Sequence, residues 1–453
     1  MKKKKLIITI FGSTGDLTAR KLLPAIKQLY DKNEINKDLQ ILALGRRDYS
    51  LDEYLDYMQS LTTETLDIHF FKTILTYVKM QITEASDYQN LKQVIEETQD
   101  KDAQKLFYLA IGPELLPIVA KNMYESNLVT QANDRIIFEK PFGHDLKSAK
   151  AINQMLWQYF KEEQIYRIDH YLGKEMIQNI MTVRFANIIF ESVWNNQYID
   201  SVQIIAKEEE GILNRAGYYD TAGALKDMVQ SHLLQMLCLT AMDAPKDYSS
   251  EAIQEEKVKV LKALTFDPKV SFTGQYDGYL KEKGIKESSL TDTFVFLKAY
   301  VDNTRFQGVP FYLLTGKKLE EKTSKIILKF KPTKEQEKWQ LPLSENELHI
   351  KIAPKDGVKL TFNSKKPGLK SHIEKVDLAY DMASKYVGNL PEAYEKLLLD
   401  AIMGHKTLFT RWDEIEYSWK FIDKVVNEKL DLIIYKTYEK LKKEVIKRAN
   451  IKI

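Results

Sequence analysis

The chain opens on a strand with no polar face to offer water. Leu6-Ile7-Ile8-Thr9-Ile10-Phe11 is rich in β-branched residues and almost wholly apolar, as a strand covered on both faces of a parallel sheet must be. It runs straight into Gly12-Ser13-Thr14-Gly15-Asp16-Leu17, and a helical pattern follows to about Tyr30. Strand, glycine turn and helix is the order a dinucleotide site requires. Glycine permits the tight turn and a close backbone approach, and the amide-rich helix start holds a pyrophosphate. Residues 39–44, 106–110 and 135–138 read as further buried strands. The first part of the chain is therefore predicted to be an α/β Rossmann dinucleotide-binding domain.

The second strand ends in Gly45-Arg46-Arg47-Asp48, where such a domain meets the adenosine ribose. A carboxylate there suits the 2′-hydroxyl of NAD, whereas an arginine accommodates the 2′-phosphate of NADP. Arg46 and Arg47 thus favour NADP, with NAD as a secondary coenzyme. The plain alternative is a solvated turn in which Asp48 compensates one arginine. The strand at 135–138 runs into Glu139-Lys140-Pro141-Phe142-Gly143. Pro141 stops it and biases Lys140 toward an extended conformation. That places Lys140 at the carboxyl edge, where open α/β sheets bind ligands, so a substrate or coenzyme contact is expected.

The densest chemistry lies in the string RIDHYLGKE at 167–175. Asp169, His170, Tyr171 and Lys174 bring together an acceptor, an imidazole, a phenol and an ammonium. If the chain is helical from Leu172, the amide-rich helix start adds positive potential beside His170 and Lys174. That combination suits a phosphate monoester, with Asp169 as a fixed negative charge able to orient a base. The alternative is a polar helix start, with Asp169 near a cap position and Lys174 in solvent.

A length of 453 residues exceeds what one core usually supports, so two domains are expected, 1–166 and 167–453. The second reads as an α+β domain with a large, mainly antiparallel sheet, for substrate binding and dimerisation. Strand patterns occur at 198–206, 294–301 and 325–331, and residues 349–352 and 358–362 look like a hairpin. Residues 309–318 lead to a loop carrying Lys317. Residues 218–223 read as a turn, and 224–242 as one long helix in which Leu225, Val229, His232, Met236 and Leu239 form an apolar stripe. Asp227 precedes His232 by five residues, about 140° round an ideal α-helix, so the two are expected to flank a pocket rather than stack. Residues 394–403 and 412–427 read as helices, and the lysine-rich end from Lys436 as an exposed helix. Cys238 is read as packing.

The 67 basic and 64 acidic residues are interspersed, so neither a nucleic-acid partner nor a general polyanion is indicated. One cysteine excludes an internal disulfide and suits a reducing cytoplasm. Met1–Lys5 resembles the basic start of a signal peptide, but the apolar run after it is too short. No stretch approaches the ~20 apolar residues of a membrane helix, and no metal-ligand spacing is present. The chain is expected to be cytoplasmic.

Taken together, FGSTGDL, EKPFG, RIDHYLGKE, VWNNQYID, AGYYDTAGALKDMVQSHLLQMLCLTAM, DNTRFQGVPFYLLTGKKL and YEKLLLDAIMGHKTLFTRWDEIE resemble, in this order, the glucose-6-phosphate dehydrogenases. The resemblance spans nearly the whole chain. It implies oxidation of D-glucose 6-phosphate at C1 to 6-phosphoglucono-1,5-lactone with hydride transfer to NADP, the first step of the oxidative pentose phosphate pathway. By it, His232 matches the general base and Asp169 the carboxylate behind it. His170, Tyr171 and Lys174 match phosphate-binding positions, with Lys322 a further candidate. Lys140, Glu208, Asp227 and Lys317 match sugar-binding positions. Gly12, Thr14, Gly15, Asp16 and Leu17 match the coenzyme turn, and Arg46 and Arg47 the adenosine end. A homodimer or homotetramer is implied by resemblance only, and no ground exists for a second coenzyme site. Thr18 departs from the small residue usual after GDL, and residues 50–104 align with no family string. Sugar oxidoreductases without a phosphate cluster, and a silent coenzyme-binding sensor, are the competing readings.

Overall fold

The computed structural model describes residues 5–97, 102–341, 344–369, 372–382 and 391–451; the basic start Met1–Lys4 lies outside them. The chain divides into two compact units. The first comprises Met1–Gly143, Lys147–Gly173 and Pro391–Trp412, and the second His144–Leu146, Lys174–Leu390 and Asp413–Ile453.

The first unit is built on β1 (Leu6–Phe11), β2 (Leu39–Gly45), β3 (Leu75–Lys79), β4 (Gln104–Leu109), β5 (Arg135–Phe138), β6 (Ile165–Ile168) and β16 (Phe409–Thr410). Their order in the sheet is β16-β6-β5-β4-β1-β2-β3. The first six strands in sequence are all parallel, in the 3-2-1-4-5-6 order of a doubly wound dinucleotide fold. Every residue of β1 is buried, as its two-faced apolar pattern requires. Phe11, Leu42, Phe107 and Phe138 meet Leu91, Val119 and Leu156 of the covering helices in one core. The short β16 adds antiparallel to β6, pairing Phe409 with Ile168. This unit therefore reaches seven residues past the expected boundary at 166 and takes back 391–412, because the turn after β6 and the returning helix Ala393–Met403 pack with this sheet.

Residues 50–104, which matched no family string, complete the same sheet. Ser50 caps the helix Leu51–Ser60 reciprocally with Glu53. Strand β3 then pairs with β2 at the sheet edge.

The second unit holds a sheet of ten strands in the order β15-β14-β13-β12-β7-β11-β10-β9-β17, with β8 against β10. These are β7 (Ile199–Lys207), β8 (Leu264–Phe266), β9 (Phe272–Tyr276), β10 (Phe294–Val301), β11 (Pro310–Gly316), β12 (Thr323–Phe330), β13 (Glu347–Ala353), β14 (Gly357–Lys365), β15 (Ile373–Asp381) and β17 (Leu432–Tyr435). The sheet is mainly antiparallel, as expected, but β11 runs parallel to β7 and β17 parallel to β9. The carboxyl ends of β7 and β11 consequently open at one place.

Three local expectations change. Residues 216–224 are helical rather than a turn, and the break falls at Gly223, whose φ is +64°. A Cβ there would also stand 2.6 Å from Asp292 Oδ1. The long helix that follows is not uniform: Leu225–Leu233 is π-helical and Leu234–Ala241 is α-helical. The C-terminal helix Tyr438–Ala449 is not simply exposed, since Tyr438, Leu441 and Val445 enter the core with Phe272, Phe296 and Leu314.

Candidate active site

At the carboxyl edge of the first sheet, Gly12 has φ +76°, and a Cβ on it would lie 2.3 Å from the Ala110 carbonyl oxygen. The turn closes through Gly15 N–H to Gly12 O (3.1 Å) and Thr18 N–H to Gly15 O (3.1 Å). The neighbouring Ser13 hydroxyl donates to Leu44 O at 2.9 Å, and the buried Tyr54 hydroxyl donates to Ser13 O at 3.1 Å. Backbone thus lines the cradle, with no side chain at its closest point, and that fits a dinucleotide pyrophosphate. Asp16 is exposed and pairs with Arg20 at 2.7 Å. The departure at Thr18 is absorbed by a π-helical turn, Thr18–Leu22, in which Thr18 is buried.

One strand over, Asp48 pairs with Lys79 at 2.7 Å. Arg47 lies over the Tyr57 ring at 4.5 Å and donates to the Tyr49 hydroxyl at 2.9 Å. Tyr77 donates to the Arg47 carbonyl at 2.8 Å. Arg46 is exposed beside it. The sequence reading missed this tyrosine platform. Its signal lay in Tyr49, Tyr54 and Tyr57, three aromatics within twelve residues of the second strand's end.

β5 ends at Glu139 and Lys140. The carboxylate of Glu139 accepts from the hydroxyls of Tyr108 and, at 3.2 Å, Tyr394. Burial raises its pKa, and the two phenols oppose the rise. This network fixes the backbone from which Lys140 projects, and neither tyrosine was singled out by sequence. β6 ends at Asp169, which is 2% exposed and accepts the Tyr171 amide at 3.0 Å, an Asx turn rather than a helix cap. His170 and Tyr171 are half-buried, with ring centroids 5.2 Å apart. The helix begins not at Leu172 but at Glu175, with Lys174 as its N-cap residue. In the second unit Lys174 lies near Asp356, whose carboxyl is raised by burial and lowered in turn by that ammonium.

At the open ends of the parallel pair, Glu208 follows β7 and Lys317 follows β11, and their side chains meet at 2.5 Å. Lys317 also stands 5.0 Å above the Tyr219 ring. The Tyr218 hydroxyl donates to Asp227 Oδ1 at 3.2 Å. Burial, then the charges of Asp292, Asp227, Tyr435 and Glu208, push the Tyr219 phenol far up. The π-helix carrying Asp227 and His232 packs on β7 and β11. His232 is 1% exposed. Because i→i+5 bonding widens the turn, Asp227 and His232 are separated by a smaller angle than the 140° expected of an α-helix. Lys322 stands apart as an exposed residue before β12.

Asp292 secures the start of the π-helix, accepting the Leu225 amide at 2.8 Å on its carboxylate and the Ala224 amide at 2.8 Å on its carbonyl. Burial raises its carboxyl to about 6. Between the ordinary carboxyl range near ~3.9 and that value, the folded chain holds a proton the unfolded chain has lost. That stabilisation is full below ~4 and is lost as pH rises through about 6. Asp292→Asn, which keeps an acceptor without the charge, is expected to gain melting temperature relative to the parent at pH 7.5, and to gain less at pH 4.5. Paired thermal melts check this.

Among the described residues no group of three metal-ligating side chains occurs, and no helix is long and apolar enough to cross a membrane. A doubly wound sheet with a glycine cradle, and a second unit that carries a buried histidine on a π-helix packed against the strands bearing the Glu208–Lys317 pair, define a nicotinamide-dependent oxidoreductase. The pattern described as the NAD binding domain of glucose-6-phosphate dehydrogenase matches residues 9–179, and that of its C-terminal domain residues 181–448. The glucose-6-phosphate 1-dehydrogenase of Bacillus subtilis (strain 168) is 39% identical over 444 residues, covering 93% of this chain and 91% of the relative. That of Rhizobium meliloti (strain 1021) is 40% identical over 443 residues, covering 92% and 89%. A solved glucose-6-phosphate dehydrogenase in complex with its substrate glucose-6-phosphate superposes with a TM-score of 0.89 at 33% identity, over 96% of this chain and 95% of that one. The chain belongs to the glucose-6-phosphate dehydrogenase family.

Proposed function

We propose that the protein oxidises D-glucose 6-phosphate at C1 to 6-phosphoglucono-1,5-lactone, with NADP as the preferred coenzyme. The observation that supports this reading is the π-helix packed on β7 and β11, which carries the buried His232 and Asp227, with the Glu208–Lys317 pair at the ends of those two strands. When bound, the nicotinamide supplies the hydride acceptor. His232 takes the proton from the C1 hydroxyl, and Asp169 is the carboxylate assigned to favour the imidazolium as it forms. Asp227, Glu208, Lys317 and Lys140 orient the sugar hydroxyls. His170, Tyr171 and Lys174 hold the phosphate, with Lys322 as an outlying cation.

The preference for NADP is supported by the engagement of Asp48 with Lys79, which leaves the strand end with two arginines and no competing carboxylate aimed at a ribose. Replacing both Arg46 and Arg47 by alanine is expected to raise KM for NADP at least ~10-fold, the worth of one charge-assisted hydrogen bond, with KM for NAD little changed. The deciding measurement is initial rate with glucose 6-phosphate and with unphosphorylated glucose against each coenzyme. Equal rates on the two sugars would sink the assignment. We further propose a closed homo-oligomer in the cytoplasm, which sedimentation and fractionation would test.

A further inference from the structure

A π-helix is an uncommon register, met mostly as single-turn insertions into α-helix. Here it runs for nine residues, and at its end the Leu234 amide still reaches the Val229 carbonyl. Two side chains, one from this segment and one from the α-helix Leu234–Ala241 that continues it, reach the helix Trp412–Asn427. Gln230 Nε2 donates to Ser418 Oγ at 2.8 Å, and Gln235 Nε2 donates to Glu414 Oε2 at 3.2 Å. Ser418 and Glu414 are four apart and so share one face of an α-helix. Gln230 and Gln235 are five apart, and in an α-helix would point about 140° away from each other. The i→i+5 register from Gln230 to Leu233 narrows that angle, so that Gln230 and the α-helical Gln235 both reach the one face. His232 lies between them, and Asp227 and His232 have the same spacing of five.

The second anchor is rigid. Glu414 pairs with Lys257 at 2.6 Å, and both side chains are 0% exposed. Neither charge can swing toward water without stranding the other, so Glu414 is a fixed post for Gln235.

We propose that Gln230 and Gln235 are positioning residues: anchored on Ser418 and on the Lys257–Glu414 pair, they hold the π register that narrows the angle between Asp227 and His232. The inference rests on the reading of His232 as the base. With an anchor removed, the segment relaxes toward α-helical bonding, and the two side chains rotate apart.

Replacing Gln235, Glu414 or Lys257 would break a buried charge cluster, so the test uses the uncharged pair of half-buried Gln230 and buried Ser418. Ser418→Ala, Gln230→Ala and Ser418→Thr are compared with the parent in amide hydrogen exchange without ligand, and in steady-state kinetics. Ser418→Ala and Gln230→Ala are expected to speed exchange at Leu233 and Leu234, and to lower kcat roughly 10- to 100-fold, the cost of a small misplacement. KM for the sugar phosphate should barely move, and Ser418→Thr should restore both readouts. Unchanged exchange, or faster exchange with undiminished kcat, overturns the proposal. So does a loss that the threonine fails to restore. A parent protein inactive on the sugar phosphate would instead remove the reading of His232, and the exchange arm alone would then decide whether the anchors hold the register.

Discussion

His232→Asn is expected to lower kcat by ~10²–10⁴, the usual worth of a general base. Asparagine keeps a hydrogen-bonding side chain of similar reach in a position that is 1% exposed, so packing around Leu233 and Met236 changes little. Sugar binding should change little as well, because the phosphate is assigned to His170, Tyr171 and Lys174 and the sugar hydroxyls to other side chains, which the substitution leaves in place. The measurement is kcat and KM for glucose 6-phosphate, with thermal melts to confirm folding. Normal turnover in a folded variant would take His232 out of its role.

Lys174→Ala should act on binding. One charge-assisted hydrogen bond is worth about 1.5–3 kcal/mol, or roughly 10- to 150-fold. The loss should fall mainly on KM for the phosphorylated sugar, and parent and variant should oxidise free glucose equally poorly. Lys174 caps the helix Glu175–Phe185 by backbone position, with no side-chain capping bond, so removing its ammonium leaves the helix start intact. The ammonium also lowers the carboxyl of Asp356, so in the variant that carboxyl should titrate higher. A Lys174→Ala enzyme with unchanged KM would place the phosphate elsewhere.

What could be read from sequence was whatever local pattern alone determines. A strand covered on both faces has one pattern, and β1, β2, β4 and β5 lay where the apolar runs stood. β3 was missed because LTYVK is a half-exposed edge strand whose buried residues, Leu75 and Val78, are three apart, a spacing that cannot be told from a helix end. The stripe Leu225–Val229–His232–Met236–Leu239 spells α-helix by its spacing. The π register depends on partners such as Ser418, 188 residues away in sequence, which no local pattern contains. Likewise Asp48 looked like the counter-charge of its neighbouring arginines, and only the pairing of β2 with β3 brings Lys79 to it. The return of 391–412 to the first unit is of the same kind.

Glu208 and Lys317 meet at 2.5 Å although 109 residues separate them, because two parallel strands cannot be joined by a hairpin. Closing so long a loop consumes chain entropy before any contact compensates it, which makes such pairings slow. After dilution from denaturant, catalytic competence should therefore lag behind the recovery of bulk secondary structure, and the rate of that last step is set by topology rather than by the strength of the ion pair.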